Sequence, residues 1–285
     1  MKQRLLITIG DSWTYGVGNL HPDLFKENMS GIEIYDFHSN PLQFEYELNN
    51  AWGSWVSNEL GFDDWINFAT PGSSLESIWR CFLDIHPITT FKDWEVYVII
   101  MNPYFSRISL PVKVGKLGTI GTDTKLYEEW VKYVVNSSSD DINEVVNHNS
   151  ATILREIIFK LNEFGFKTVL GFNDKNDEDY FRKEYTQISN ELLILNRPFS
   201  DGFFQGYDVP KNWITPYDGH LNKDGYEFVA NHIITQIKNA KMLSWISTPR
   251  ESRKWSCPVR WQSDSNYPLA NLVLNKNVSL TNKLI

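Results

Sequence analysis

Cysteine is nearly absent. Cys81 and Cys257 are the only two among 285 residues, and neither belongs to a Cys-x-x-Cys or mixed Cys/His pattern. A disulfide framework and a cysteine-based metal site are therefore not what organises this chain. Long apolar runs are missing too, since no stretch approaches the roughly 20 residues that a membrane-spanning helix needs. Positive charge is scarce, with 27 Lys and Arg against 35 Asp and Glu and a net charge of −8. Nucleic acid or an anionic membrane is not expected as the main partner, because both favour a basic surface. The segment Met1-Lys2-Gln3-Arg4 followed by Leu5 to Ile9 superficially resembles a secretion signal. Its apolar run is short, however, and leads into Gly10-Asp11-Ser12 instead of a small-residue cleavage site. It reads better as a first β-strand, and the protein is expected to be soluble and cytoplasmic.

What is present is the make-up of an ordinary globular protein, with 42% apolar and 22% charged residues. A core of normal size is expected without metals or disulfides as staples. The length suits one large domain or two small ones. Aromatic residues are abundant, at 11 Trp, 13 Tyr and 17 Phe. They either fill the core or offer stacking platforms for sugar rings.

Four continuous apolar runs predict buried parallel strands: Leu5 to Ile9, Trp65 to Ala69, Val96 to Met101 and Thr168 to Phe172. Helical patterns lie between and after them. One covers Ala51 to Leu60 and ends at Gly61. Another covers Ser74 to Ile85, with a serine cap and Glu76 in its first turn. A third, Thr152 to Phe164, carries the stripe Ile153, Leu154, Ile157, Ile158 and Leu161, and Gly165 closes it. The last runs from Lys223 to about Ala240, with Asn222 as cap and Tyr226, Val229, Ile233 and Ile237 on one face. Strands alternating with helices predict an α/β sandwich with a mostly parallel sheet.

Residues 17–50 and 103–150 do not fit this alternation. Both follow predicted strand ends, where α/β proteins bind ligands. They read as loop insertions that are either substrate-binding lids or loops with no substrate role. Beyond Leu243 the helical pattern stops. The tail, residues 244–285, holds Trp245, Trp255 and Trp261, and is either packed back on the domain or a docking surface for another chain.

Four groups of residues carry potential chemistry. Ser12 follows the first strand in Gly10-Asp11-Ser12-Trp13-Thr14-Tyr15-Gly16, in a turn that would expose its hydroxyl. A serine needs a base and an oxyanion site to act as a nucleophile, and Gly-Asp-Ser alone is a common turn. Asp218-Gly219-His220 precedes the final helix, where a histidine can reach across the strand ends while an aspartate fixes its tautomer. Taken alone, that triplet also reads as a turn and a surface histidine. Gly72, in Asn67-Phe68-Ala69-Thr70-Pro71-Gly72, allows a close backbone approach before a helix N-terminus. Asn102 ends the third strand, where its amide would donate to an oxyanion or merely cap the turn at Pro103.

In that order, at strand ends on one side of the sheet, these elements resemble the SGNH, or GDSL, hydrolase family across residues 4–240. Gly-Asp-Ser-x-Thr-x-Gly and Asn-x-Ala-x-Pro-Gly carry the likeness. Two blocks depart from the family pattern. Ile100-Met101-Asn102-Pro103 stands where Gly-x-Asn-Asp is usual, and one residue, not two, separates Asp218 from His220. The resemblance implies a three-layer α/β/α sandwich of flavodoxin-like order over residues 1–243. It also implies a serine esterase needing no metal or organic cofactor. Ser12 would be the nucleophile, His220 the base and Asp218 its orienting partner. The oxyanion hole would comprise the N–H groups of Ser12 and Gly72 and the Asn102 side chain. The family acts on lipids, acetylated polysaccharides and small esters. An acidic, Trp- and Tyr-rich chain points to a short acyl group, such as acetyl, on a carbohydrate. A lipase or thioesterase is the alternative enzyme. A third reading is a structural component of a virion or surface assembly that docks or self-associates through residues 244–285.

Overall fold

The apolar runs become the centre of a parallel sheet. A computed structural model describes residues 2–24, 40–69, 71–78, 93–113, 116–121, 139–215 and 219–247. The strands are β1 (Gln3–Ile9), β2 (Asp64–Asn67), β3 (Trp94–Asn102), β6 (Lys167–Phe172) and β7 (Leu193–Ile194). They pair in the order β2-β1-β3-β6-β7, all parallel. β4 (Arg107–Lys113) and β5 (Lys116–Gly121) form a separate antiparallel hairpin. The helices are α1 (Ser12–Tyr15), α2 (Pro41–Asn49), α3 (Trp52–Glu59), α4 (Ser139–Glu163), α5 (Lys175–Glu184), α6 (Thr186–Glu191) and α7 (Lys223–Asn239).

Successive side chains of a strand point to opposite faces, and each face of this sheet has its own helical cover. Leu6, Tyr97, Ile99, Met101 and Val169 pack with Trp52 and Val56 of α3 and Val229, Ile233 and Ile237 of α7. Leu5, Ile7, Val96, Val98, Ile100 and Leu170 pack with Leu154, Ile157 and Leu161 of α4 and Phe181 of α5. Burial on both faces explains why these strands read as unbroken apolar runs. The result is the expected three-layer α/β/α sandwich, with the strand order of a flavodoxin-like sheet.

The local signals behave as physics requires. The Asn222 Oδ1 accepts from Gly225 N at 3.2 Å and caps α7, while Ser74 Oγ accepts from Ser77 N at 3.3 Å to open the helical residues 75–78. The rest of the predicted helix to Ile85, with Cys81, lies outside the described residues. Several boundaries move. β2 ends at Asn67 instead of Ala69, and the Ala69 N–H goes to the Asn67 side chain at 3.2 Å. α4 begins at Ser139, well before Thr152. The region 17–50 contains α2, whose cap Asn40 accepts from Leu42 N at 2.9 Å, and the region 103–150 contains the β4–β5 hairpin. Trp245 is fully buried against the rings of Tyr97 and Phe62, with centroids at 4.9 and 6.2 Å. The remainder of the tail, residues 248–285 with Trp255, Cys257 and Trp261, lies outside the described residues. Among the described residues no helix is long and apolar enough to cross a membrane.

Candidate active site

The turn that carries Ser12 is fixed from beneath. The Asp11 side chain accepts from Trp13 N at 3.2 Å and caps the single turn of α1, which Gly16 closes in the left-handed region. Asn67 ties this turn to the end of β2: its Nδ2 donates to the Thr14 carbonyl at 3.1 Å, and its Oδ1 accepts from Thr8 Oγ1 and Ala69 N, each at 3.2 Å. Ser73 Oγ donates to the Gly10 carbonyl at 3.0 Å. Asn67 and Ser73 thus brace the turn that carries Ser12.

His220 arrives from the other end of the chain. Its Nε2 lies 2.8 Å from Ser12 Oγ across 208 positions of sequence, a full hydrogen bond. Three contacts hold it there. Thr215 N donates to the His220 carbonyl at 2.8 Å, and the Trp13 ring packs on the imidazole with centroids 4.4 Å apart. Gly18 supplies the third: a Cβ there would lie 2.5 Å from the Leu221 carbonyl oxygen and 2.8 Å from His220 Cβ, and its φ is +100°. Only glycine tolerates both the crowding and the left-handed backbone. Tyr226 of α7 then donates its hydroxyl to the Val17 carbonyl at 2.7 Å, locking the two segments together.

The other expected residues fall as follows. Gly72 sits in an exposed turn at φ +72°, with open space around it, one residue before the Ser73 anchor. Asn102 ends β3, is 0% exposed, and neither its Nδ2 nor its Oδ1 has a hydrogen-bond partner among the described residues. Asp218 lies outside the described residues. Among the described residues no group of three or more His, Cys, Asp or Glu side chains converges as a metal ion requires.

A charge network beside Ser12 was not expected from sequence. Asp11 is fully buried, and its Oδ2 accepts from Arg107 Nη1 at 2.6 Å. Asn173, which follows β6, donates its Nδ2 to Asp11 Oδ1 at 3.3 Å. Burial pushes the Asp11 carboxyl above its ordinary value, and the Arg107 charge and the Trp13 N–H oppose that rise. The Arg107 guanidinium lies over the Tyr104 ring, 4.9 Å from its centroid. Burial, then the Asp11 charge, raises the Tyr104 phenol well above its ordinary range. Arg107 begins a hairpin with no periodic signature and lies 96 positions from Asp11, so no local pattern pairs them.

Compared by sequence, no family model and no curated protein matches the chain. Solved structures do match by shape. An acetyl xylan esterase from the rumen bacterium Butyrivibrio proteoclasticus superposes at TM-score 0.53 and 10% identity, over 86% of this chain and 66% of that one. A carbohydrate esterase described as having divergent catalytic and non-catalytic binding functions gives TM-score 0.51 at 16% identity, over 86% and 68%. A lipolytic protein of the G-D-S-L family from Desulfitobacterium hafniense DCB-2 gives 0.45 at 13%, over 82% and 99%. The chain has the SGNH-hydrolase fold.

Proposed function

We propose that this protein is an ester hydrolase working through an acyl-serine at Ser12. The observation that carries the reading is the 2.8 Å contact between Ser12 Oγ and His220 Nε2 at the carboxyl ends of the strands, where open α/β sheets hold their ligands. Ser12 donates its proton to Nε2 as Oγ attacks the ester carbonyl. The tetrahedral oxyanion is held by the N–H groups of Ser12 and Gly72 and by Asn102 Nδ2. A buried amide without a partner is costly, and an oxyanion would satisfy the Asn102 donor in the reaction itself. The His220 proton then passes to the departing alcohol oxygen as the ester C–O bond breaks. Water attacks the acyl-serine, gives a proton to His220, and the acid leaves as Oγ recovers that proton. Asp218, two residues before His220, is the group assigned to orient the imidazole.

The substrate favoured is a short acyl ester, acetyl on a carbohydrate. Two neighbours in fold are a carbohydrate esterase and an acetyl xylan esterase, and their substrates support this choice. Turnover of p-nitrophenyl acetate and labelling by a fluorophosphonate are the direct test. Both are expected in the wild type and absent in Ser12→Ala. Turnover and labelling that persist equally in Ser12→Ala would sink the proposal. A panel of acyl chain lengths and acetylated glycans then separates acetylesterase from lipase.

A further inference from the structure

We infer that Arg107 is a positioning residue for Ser12, acting through the buried carboxylate of Asp11, an inference that rests on the ester-hydrolase reading above. Three parts of the molecule meet on that carboxylate. The Trp13 N–H belongs to the nucleophile turn, Asn173 Nδ2 to the segment after β6, and Arg107 Nη1 to the root of the β4–β5 hairpin. Asp11 is chain neighbour to Ser12 and caps its helical turn. Whatever fixes the carboxylate therefore fixes the direction of the Ser12 hydroxyl towards His220.

A carboxylate at 0% exposure stays charged only with a countercharge and well-made hydrogen bonds. Among the described residues Arg107 supplies that charge. Tyr104 lies against the guanidinium, so its plane is constrained as well as its charge. Among the described residues, the ionisable groups facing Asp11 are Arg107 from β4, His220 from the segment before α7, and Tyr104 from the β3–β4 connection. Asn173 is neutral. Removing Arg107 leaves burial unopposed by its largest counterweight. Asp11 then takes up a proton at higher pH and exchanges an acceptor for a donor at the cap.

This geometry also separates positioning from substrate binding. Arg107 Nη1 is spent on Asp11, and its side chain is 24% exposed. A group that only gripped substrate would change KM. A group that holds the nucleophile turn changes kcat and the pH at which the turn is competent.

The test uses the full-length protein and p-nitrophenyl acetate, with Arg107→Met, Arg107→Lys, Asp11→Asn and the Asp11→Asn/Arg107→Met double variant beside wild type and Ser12→Ala. Arg107→Met is expected to lower kcat about 100-fold, the scale of a misplaced reacting group, with KM within about twofold. The acid limb of its kcat/KM profile is expected to move to higher pH, and Arg107→Lys to restore most of the rate and the limb. The double variant is expected to be no slower than the worse single one, since both act through one contact. Circular dichroism reports folding, and Arg107→Lys and Asp11→Asn carry the test if Arg107→Met does not fold. A wild-type rate in Arg107→Met, a rise in KM alone, or additive losses in the double variant overturns the inference while leaving the hydrolase intact. A wild type no faster than Ser12→Ala overturns both.

Discussion

Asn102 holds an uncomfortable position for an amide. It is fully buried, and both polar atoms of its side chain lack a partner among the described residues, so it carries a desolvation cost that none of them offsets. A residue that only capped a turn would show the bond it makes. Here the unmet donor sits at the end of β3, beside the strand that delivers Ser12. Asn102→Ala is therefore expected to lower kcat by about 100- to 1000-fold, the usual loss for one oxyanion donor. Its thermal midpoint is expected to change little, because no hydrogen bond is broken. A large fall in the midpoint with kcat preserved would instead make Asn102 a structural residue. The contrast with Asn67 is instructive. Asn67 spends both ends of its amide on the Ser12 turn and on Thr8 and Ala69, and the bracing it provides was hidden in a motif read mainly for Gly72.

Among the elements, the link between α5 and the segment after β3 carries a pH signature. Asp177, in the first turn of α5, accepts from Phe105 N at 2.8 Å. Burial raises its carboxyl to about 7, with the Phe105 N–H acting against the rise. A carboxyl raised in the folded state binds more protons there than in the unfolded chain. Stability contributed by this site is thus highest below the ordinary carboxylate value near 4 and declines as pH rises towards 7. Asp177→Asn keeps an acceptor for Phe105 and removes the titration. The thermal midpoint of the variant is expected to fall less than wild type between about pH 4 and 7, and parallel slopes would refute the assignment. The same stretch shows where sequence reading stops. The central strands and α7 announce themselves through apolar runs and caps. β7 has only two residues, too few for any pattern. α5 is charge-rich, KNDEDYFRKE, so apolar periodicity misses it. Its cap at Asp174, with acids in the first turn and bases in the last, is the signal that would have found it. Ser12 and His220, which lie 2.8 Å apart, could be singled out in the sequence because each sits in a motif. Arg107 was not, because its partner is set by the fold alone.

For the molecule as a whole, closure of the core depends on the turn that follows α7. Trp245 packs on Tyr97 and Phe62, and the carbonyl of Ser244 accepts from Tyr97 Oη at 2.5 Å and from Arg4 Nη2 at 3.1 Å. The short 3-10 turn after α7 therefore fastens the amino ends of β1 and β3. Trp245→Ala is expected to cost about 3–5 kcal/mol, the range for truncating a buried tryptophan, measured by denaturant unfolding. A cost near that of a surface substitution would show the ring to be dispensable.

The contact between Ser12 and His220 also sets a clock. The two partners stand 208 positions apart in the sequence. If Ser12 is the nucleophile proposed above, it stays an ordinary alcohol until α7 docks and Tyr226 reaches the Val17 carbonyl. Under the proposed function, the rate at which reactivity at Ser12 appears during refolding reports when these two segments meet.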